Sequence, residues 1–283
     1  MSGKFLLFGA SGQVGRALAR NPNAIPLFRV DVDLRNASDI QAAIKKHKVA
    51  AVVNAAAYTD VERAEDEKAE CHKINTLAPK AMAATCDELN IPLVHISSEF
   101  VFDGSKNGAY VEADSCNPLS VYGSSKFAGE IAVKAESQHY AILRTSWVFS
   151  EGDGNFVGKM LAASKVRNAL TIVDDQIGAP TEASDIAAAI EAMLPDLIQN
   201  PEKSGLYHFA SRDPISRFEF AKEIFQMAGR DVTLTPCKSE EFKTNAKRPK
   251  NSRLNCDAIY AQFGISQPDW RASLARVLKQ RDG

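Results

Sequence analysis

Tyr122 and Lys126 stand four residues apart, in Tyr-Gly-Ser-Ser-Lys, ahead of the helical run Ala-Gly-Glu-Ile-Ala-Val-Lys. On a helix that offset puts both side chains on one face, a turn apart. A phenol titrates near pH ~10 in water, too high for easy proton exchange at neutrality. A neighbouring ammonium is expected to favour the phenolate and bring that value down. With six tyrosines in the chain, the same spacing is also what the start of an ordinary amphipathic helix produces. Ser97-Ser98 supplies what the pair lacks. These residues close the apolar run Ile-Pro-Leu-Val-His-Ile-Ser-Ser (91–98), and in an open α/β sheet such strand ends are where ligands bind. A hydroxyl there orients a carbonyl for hydride attack, or merely caps a turn.

Hydride chemistry needs a dinucleotide, and Gly9-x-x-Gly12-x-x-Gly15 offers a place for one. The motif follows a predicted strand and opens a predicted helix, the context that gives glycines a physical role. They permit a tight turn and let the backbone approach a pyrophosphate, whose charge faces free N–H groups at the helix start. The spacing differs from the common GxGxxG, and alone it is also compatible with a simple turn. An acidic residue roughly 20 positions on favours NAD, a basic one NADP. Asp31 and Asp33 fall in that window, as does Arg29, and Arg16 follows the last glycine. The arginines tilt the reading toward NADPH, with NADH the alternative.

Elements able to position these residues recur along the chain. Apolar runs at 4–8, 25–30, 51–56, 91–98 and 140–149 alternate with helix-period stretches at 38–47, 64–89 and 120–136. Strands apolar on both faces, alternating with amphipathic helices, predict a parallel sheet between helical layers. The fold class is therefore α/β, a doubly wound parallel sheet (Rossmann-type) with a smaller C-terminal substrate-binding lobe. Residues 1–146 form the expected dinucleotide-binding domain, and 147–283 mainly the substrate-binding lobe. A helix near 182–198 is expected to return to the first domain. Short strands at TIVDDQ, LYHFA and VTLTPC and helices near 154–166 and 216–229 complete the second half.

Composition narrows the partners. Thirty-four Lys+Arg against 35 Asp+Glu give a net charge of −1, so the whole-molecule field does not attract nucleic acid. The apolar start breaks into glycines too soon for a signal peptide, and no run approaches a membrane span. Five scattered cysteines without a CxxC pair read as reduced thiols in a cytoplasmic protein rather than a disulfide framework or zinc site.

Longer segments carry a family likeness: LLFGASGQVG, VVNAAAYTDVERAE (52–65), SSEFVFDG (97–104), NPLSVYGSSKFAGE (117–130), LRTSWVF (143–149), DDQIGAPT (174–181), GLYHF (205–209) and RPKNSRL (248–254). Nearly end to end, the chain resembles the extended short-chain dehydrogenases and, within them, the dTDP-4-dehydrorhamnose reductase family. The resemblance implies reduction of the 4-keto group of dTDP-4-dehydro-L-rhamnose to dTDP-L-rhamnose by hydride from NADPH or NADH, in nucleotide-sugar biosynthesis. It implies Ser98 as the hydroxyl on the keto oxygen, Tyr122 as general acid, and Lys126 as the group tuning Tyr122 and holding the cofactor ribose. Gly9, Gly12, Gln13, Val14 and Gly15 would cradle the pyrophosphate. Asp33, Leu34, Ala55, Ala56, Ala57 and Tyr58 would line the adenosine and ribose, with Arg29, from its place after the glycines, a further cofactor-binding candidate. Glu99, Phe100 and Trp147 would meet the sugar, and Arg248, Asn251 and Arg253 the diphosphate.

SSEFVF departs from the family's usual STDYVF, so Phe100 removes one phenol from the sugar site. Some relatives hold a metal at a glutamate-rich subunit contact; no such site is identified here, and no metal is expected. A homodimer is left open. Two rival readings follow from the same resemblance. A sugar-nucleotide epimerase or dehydratase would recycle its NAD, although the acidic pair typical of dehydratases is incomplete at Glu99-Phe100. A regulatory subunit resembling the methionine adenosyltransferase beta subunit would bind a dinucleotide without turnover.

Overall fold

The computed structural model describes residues 3–241 and 243–282. The apolar runs become β1 (Phe5–Phe8), β2 (Ala24–Leu27), β3 (Ala51–Asn54), β4 (Leu93–Ser98) and β5 (Tyr140–Thr145). With strand Gly205–His208 they build one six-stranded sheet, ordered Gly205–His208, β5, β4, β3, β1, β2. Every pairing in it is parallel.

Successive side chains of a strand point to opposite faces, and both faces here are apolar. Leu7, Val53, Val94 and Leu143 enter one core with Leu18, Ile186 and Ile190, beneath helices Gln13–Leu18 and Ala183–Gln199. Leu6, Phe8, Val52 and Ile142 enter the other with Ile40, Ile44 and Met82, beneath helices Ala37–His47 and Ala78–Glu88. The doubly wound reading holds, and helix Ala183–Gln199 lies on the sheet.

Three boundaries differ from expectation, each for a local reason. β2 stops at Leu27 because Phe28 N–H donates to the Asp31 carboxylate (2.8 Å) and Asp31 N–H returns to the Phe28 carbonyl (3.0 Å), closing a turn. The 140–149 run breaks at Trp147, whose φ of 48° lies in the left-handed region. After it, Val148–Phe149 leaves the main sheet to pair with Thr181–Glu182. The long helical stretch 64–89 divides into Lys68–His72, a π-helical turn Lys73–Leu77 and Ala78–Glu88. Pro79 has no N–H to offer the carbonyl of Asn75, so a regular ladder cannot pass through that turn.

The strand at Gly205–His208, expected in the second lobe, instead extends the main sheet beside β5. Besides the Val148–Phe149 pairing, the second half holds two small sheets, one pairing Ala169–Val173 with Thr233–Cys237. The other pairs Ile177–Gly178 with Ile215–Ser216 and Asn251–Ser252. Its core gathers Trp147, Phe149, Phe220, Trp270 and Leu274. Helices Asp257–Phe263 and Trp270–Asp282 were not anticipated.

Candidate active site

The glycine turn links β1 to helix Gln13–Leu18, whose N-cap is Gly12 with no side chain over the first N–H groups. Gly9 sits at φ 82°, and a Cβ there would lie 2.5 Å from the Ala56 nitrogen. A Cβ on Gly15 would overlap the Gly9 carbonyl. The segment Ala55–Ala57 after β3 thus presses on the turn, leaving bare backbone N–H groups where a pyrophosphate needs them. These residues fit a dinucleotide.

The other residues predicted to bind cofactor divide by what their side chains do. Val14 points into the core, so only its backbone faces the turn. Gln13 accepts a hydrogen bond from Ser150 Oγ (2.8 Å). Leu34 is half-buried and Arg29 exposed. Asp33 grips Arg35 in a fork (2.8 and 2.7 Å), and hydrogen bonding from Arg35 holds its carboxyl down at about 2. Arg35, the guanidinium that engages this predicted adenosine-site carboxylate, was not marked in the sequence reading; its place two residues after Asp33 was the available signal. Tyr58 N–H donates to Asn75 Oδ1 (2.8 Å). Its phenol donates to Glu67 (2.6 Å), which pushes it up to about 12.

The catalytic candidates converge at the end of β4. Ser120 caps helix Val121–Glu136 by accepting from Gly123 N–H (3.1 Å), fixing Tyr122 in the first turn. Gly123 has no room for a Cβ because the Phe100 carbonyl lies against it. Ser98 Oγ donates to Glu99 Oε2 (2.6 Å) and accepts from Phe100 N–H (3.2 Å). The Phe100 ring meets Tyr122 edge-on, 5.3 Å between centroids. Lys126 is 2% exposed, and its Nζ donates to the Ile96 carbonyl (2.6 Å).

The titration of the pair runs against expectation. Burial and then the Glu99 charge raise Tyr122 above the ordinary phenol value, with hydrogen bonding to Ser98 opposing them. Lys126 does not bring the phenol down. It is itself lowered to about 8, chiefly by burial, against the pull of Glu130. The phenol is therefore held protonated, the state a general acid requires.

Beneath the site lies a polar floor. Ser125 Oγ donates to the Tyr122 carbonyl (2.7 Å) and receives from Asn75 Nδ2 (2.9 Å). Glu130 accepts from Arg144 at 2.8 and 2.6 Å, and from Ser97 Oγ. Both ion-pair side chains are fully enclosed.

The residues predicted to meet the sugar nucleotide come from distant segments. The Trp147 ring lies under the guanidinium of Arg217, 3.5 Å from its centroid, and a Cβ on Gly178 would stand 2.5 Å from that ring. The charges of Arg217 and Glu99 act on each other. Arg217 opens its helix after a serine cap, and no sequence motif marked it. Arg248 pairs with Glu62 (2.6 Å). Asn251 donates to the carbonyls of Lys106 and Gly108 (2.7 Å each) and accepts from Arg253 Nε (2.8 Å). The Asn251 amide thus clasps the 104–110 loop, a structural task the sequence reading did not foresee. Among the described residues, no group of three or more His, Cys, Asp or Glu is placed to hold a metal ion.

A parallel sheet in this order, a glycine cradle at its first strand end and a hydroxyl–phenol pair at its fourth define a dinucleotide-dependent oxidoreductase. Residues 3–282 match the family model described as the RmlD substrate binding domain, and the chain belongs to that family. It is 35% identical to a dTDP-4-dehydrorhamnose reductase of Sinorhizobium fredii, covering 95% of each chain. Against that of Aggregatibacter actinomycetemcomitans the identity is 36%, over 97% of this chain and 98% of the relative. Its fold matches the dTDP-4-dehydrorhamnose reductase of Bacillus anthracis in complex with NADP at TM-score 0.91 and 33% identity, over 99% and 100% of the chains.

Proposed function

We propose that this chain reduces the 4-keto group of dTDP-4-dehydro-L-rhamnose to dTDP-L-rhamnose with NADPH. The observation that carries the reading is the convergence of Ser98, Tyr122 and Lys126 at the end of β4. The bound dinucleotide would supply hydride to the sugar carbon.

The chain's own groups do the rest. The turn Gly9–Gly15 receives the pyrophosphate on its free N–H groups, and Ala55–Tyr58 borders the ribose. Lys126 reaches that ribose by leaving the Ile96 carbonyl. Ser98 and Tyr122 hold the keto oxygen between them, and Tyr122 gives it a proton. Arg248, with a charge already balanced by Glu62, receives the diphosphate. Such positioning can recover roughly 7–11 kcal/mol of a bimolecular barrier.

In this reading residues 1–146, with helix Ala183–Gln199 and strand Gly205–His208, hold the dinucleotide. The remainder of 147–283 holds the sugar nucleotide. No helix among the described residues is long and apolar enough to cross a membrane, which accords with work on a cytoplasmic nucleotide sugar. The test is NADPH consumption by purified protein supplied with the keto sugar. One NADPH oxidised per sugar reduced is expected; cofactor-loaded protein that leaves the sugar unchanged overturns the reading.

A further inference from the structure

Glu99 is 3% exposed, and the proposed reduction gives it no part. It lies one residue past Ser98, whose hydroxyl proton is aimed at its carboxylate across 2.6 Å. A hydroxyl has one proton to donate. While Glu99 is ionised, that proton is held by the carboxylate and none is left for Tyr122. When Glu99 is protonated, the bond can reverse, with the carboxyl donating to Ser98 and Ser98 freed to donate to the phenol of Tyr122, which acts on it in turn and packs on the neighbouring Phe100 ring. We propose that Glu99 is a positioning residue which, acting through Ser98, returns to Tyr122 the proton lost in each turnover, with Arg217 setting the range of pH over which it does so. This deepens the function proposed above and rests on it.

The bookkeeping of protons closes. The Tyr122 O–H bond breaks as its proton joins the sugar oxygen. The Ser98 O–H bond breaks as a new one forms on Tyr122. The Glu99 O–H bond breaks as one re-forms on Ser98, and solvent reprotonates Glu99. No electron pair leaves the oxygens involved, so no oxidant or further reductant enters.

The surroundings fit a group that changes state near neutrality. Burial pushes the Glu99 carboxyl up to about 7. Against burial work the Ser98 hydrogen bond, the charge of Arg217 from helix Arg217–Met227, and backbone N–H groups of Glu99 and Trp147. From helix Val121–Glu136, Tyr122 faces the same carboxyl. Arg248 acts at one remove, through Arg217. Arg217 is itself steadied by Trp147 and, 5.1 Å away, Phe156.

The experiment compares kcat against pH for the wild type, Glu99→Gln and Arg217→Gln, with an infrared titration of the protonated carboxyl on the same proteins and on Ser98→Ala. Wild-type kcat should fall as pH rises through about 7. Glu99→Gln should flatten that limb and lower kcat roughly tenfold or more, in the range of lost acid–base assistance, with both KM values nearly unmoved. Arg217→Gln removes a cation that favours the carboxylate, so its limb should move to higher pH. A carboxyl band titrating near neutrality should vanish in Glu99→Gln and persist to higher pH in Ser98→Ala. A wild-type profile in Glu99→Gln, or a limb that stays or falls in Arg217→Gln, overturns the inference. The infrared reading needs no turnover. No neutral-range band defeats the relay even if the sugar is reduced, whereas a band with an inert keto sugar defeats only the substrate assignment.

Discussion

The two halves of the proposed site are built in opposite ways. At the dinucleotide end the working surface is backbone. Gly9 and Gly15 leave space that a single carbon would fill, and Ala55 and Ala56 pack into it. At the proposed sugar end the surface is side chains brought from four distant segments: Glu62, Trp147, Arg217, and Arg248 with Asn251. A backbone site depends on local geometry and leaves its mark in contiguous residues. A side-chain site depends on the whole fold and shows in the sequence only as scattered motifs or, at Glu62 and Arg217, not at all. Tyr122 lies between them, local in its spacing to Lys126 and global in its environment.

The sharpest break in this comparison is at that junction. Tyr122→Phe should lower kcat by about 10²–10⁴, with NADPH affinity held within twofold because the glycine cradle is untouched; stopped turnover and a fluorescence titration measure the two. Comparable loss at both ends would mean that the junction serves cofactor binding rather than proton transfer. Next in size is the enclosed pair below the site. Glu130→Gln leaves Arg144 enclosed without its counter-charge, and should cost about 3–5 kcal/mol in denaturant unfolding. A loss below ~1 kcal/mol would show water reaching Arg144, and a floor less enclosed than it stands here.

Gly9→Ala places a methyl against Ala56 at a positive φ. Overpacking of this kind destabilises by about 1–3 kcal/mol, and NADPH affinity should fall with it while affinity for dTDP stays. If dTDP binding fell equally, the two ends would not be separable. The smallest effect belongs to Asn251→Ala. Removing its clasp on the Lys106 and Gly108 carbonyls should lower stability by about 0.5–1.5 kcal/mol and raise the KM for the sugar nucleotide, leaving that for NADPH alone. A steady-state matrix of both substrates reads this directly.

The same contrast explains what could be read before the fold was known. The five apolar runs declare the sheet because a parallel strand is buried on both faces, and β1 and β3 are buried at every position. The glycine spacing and the Ser98, Tyr122 and Lys126 order were visible because each sits at a strand or helix end that the runs mark out. Hidden were the events that depend on remote partners. Spacing predicted a depressed phenol at Tyr122, but Lys126 turns to the Ile96 carbonyl and burial, seconded by the Glu99 charge, raises it instead. Arg217 reads as an ordinary exposed helix residue until Trp147 arrives beneath it from seventy positions away. Strand Gly205–His208 shows the limit most plainly, since pairing with β5 cannot be deduced from its own four residues.

That strand carries a consequence for how the polypeptide is made. It bonds to β5 only after more than fifty further residues have been synthesised, and helix Ala183–Gln199, which shields the first helix, is made in the same late interval. During translation the leading half must wait with an open sheet margin and an uncovered greasy flank, the kind of surface that invites sticking between nascent chains. The halves are therefore interlaced in time as well as in space. Neither can be swapped as a cassette without carrying part of the other with it.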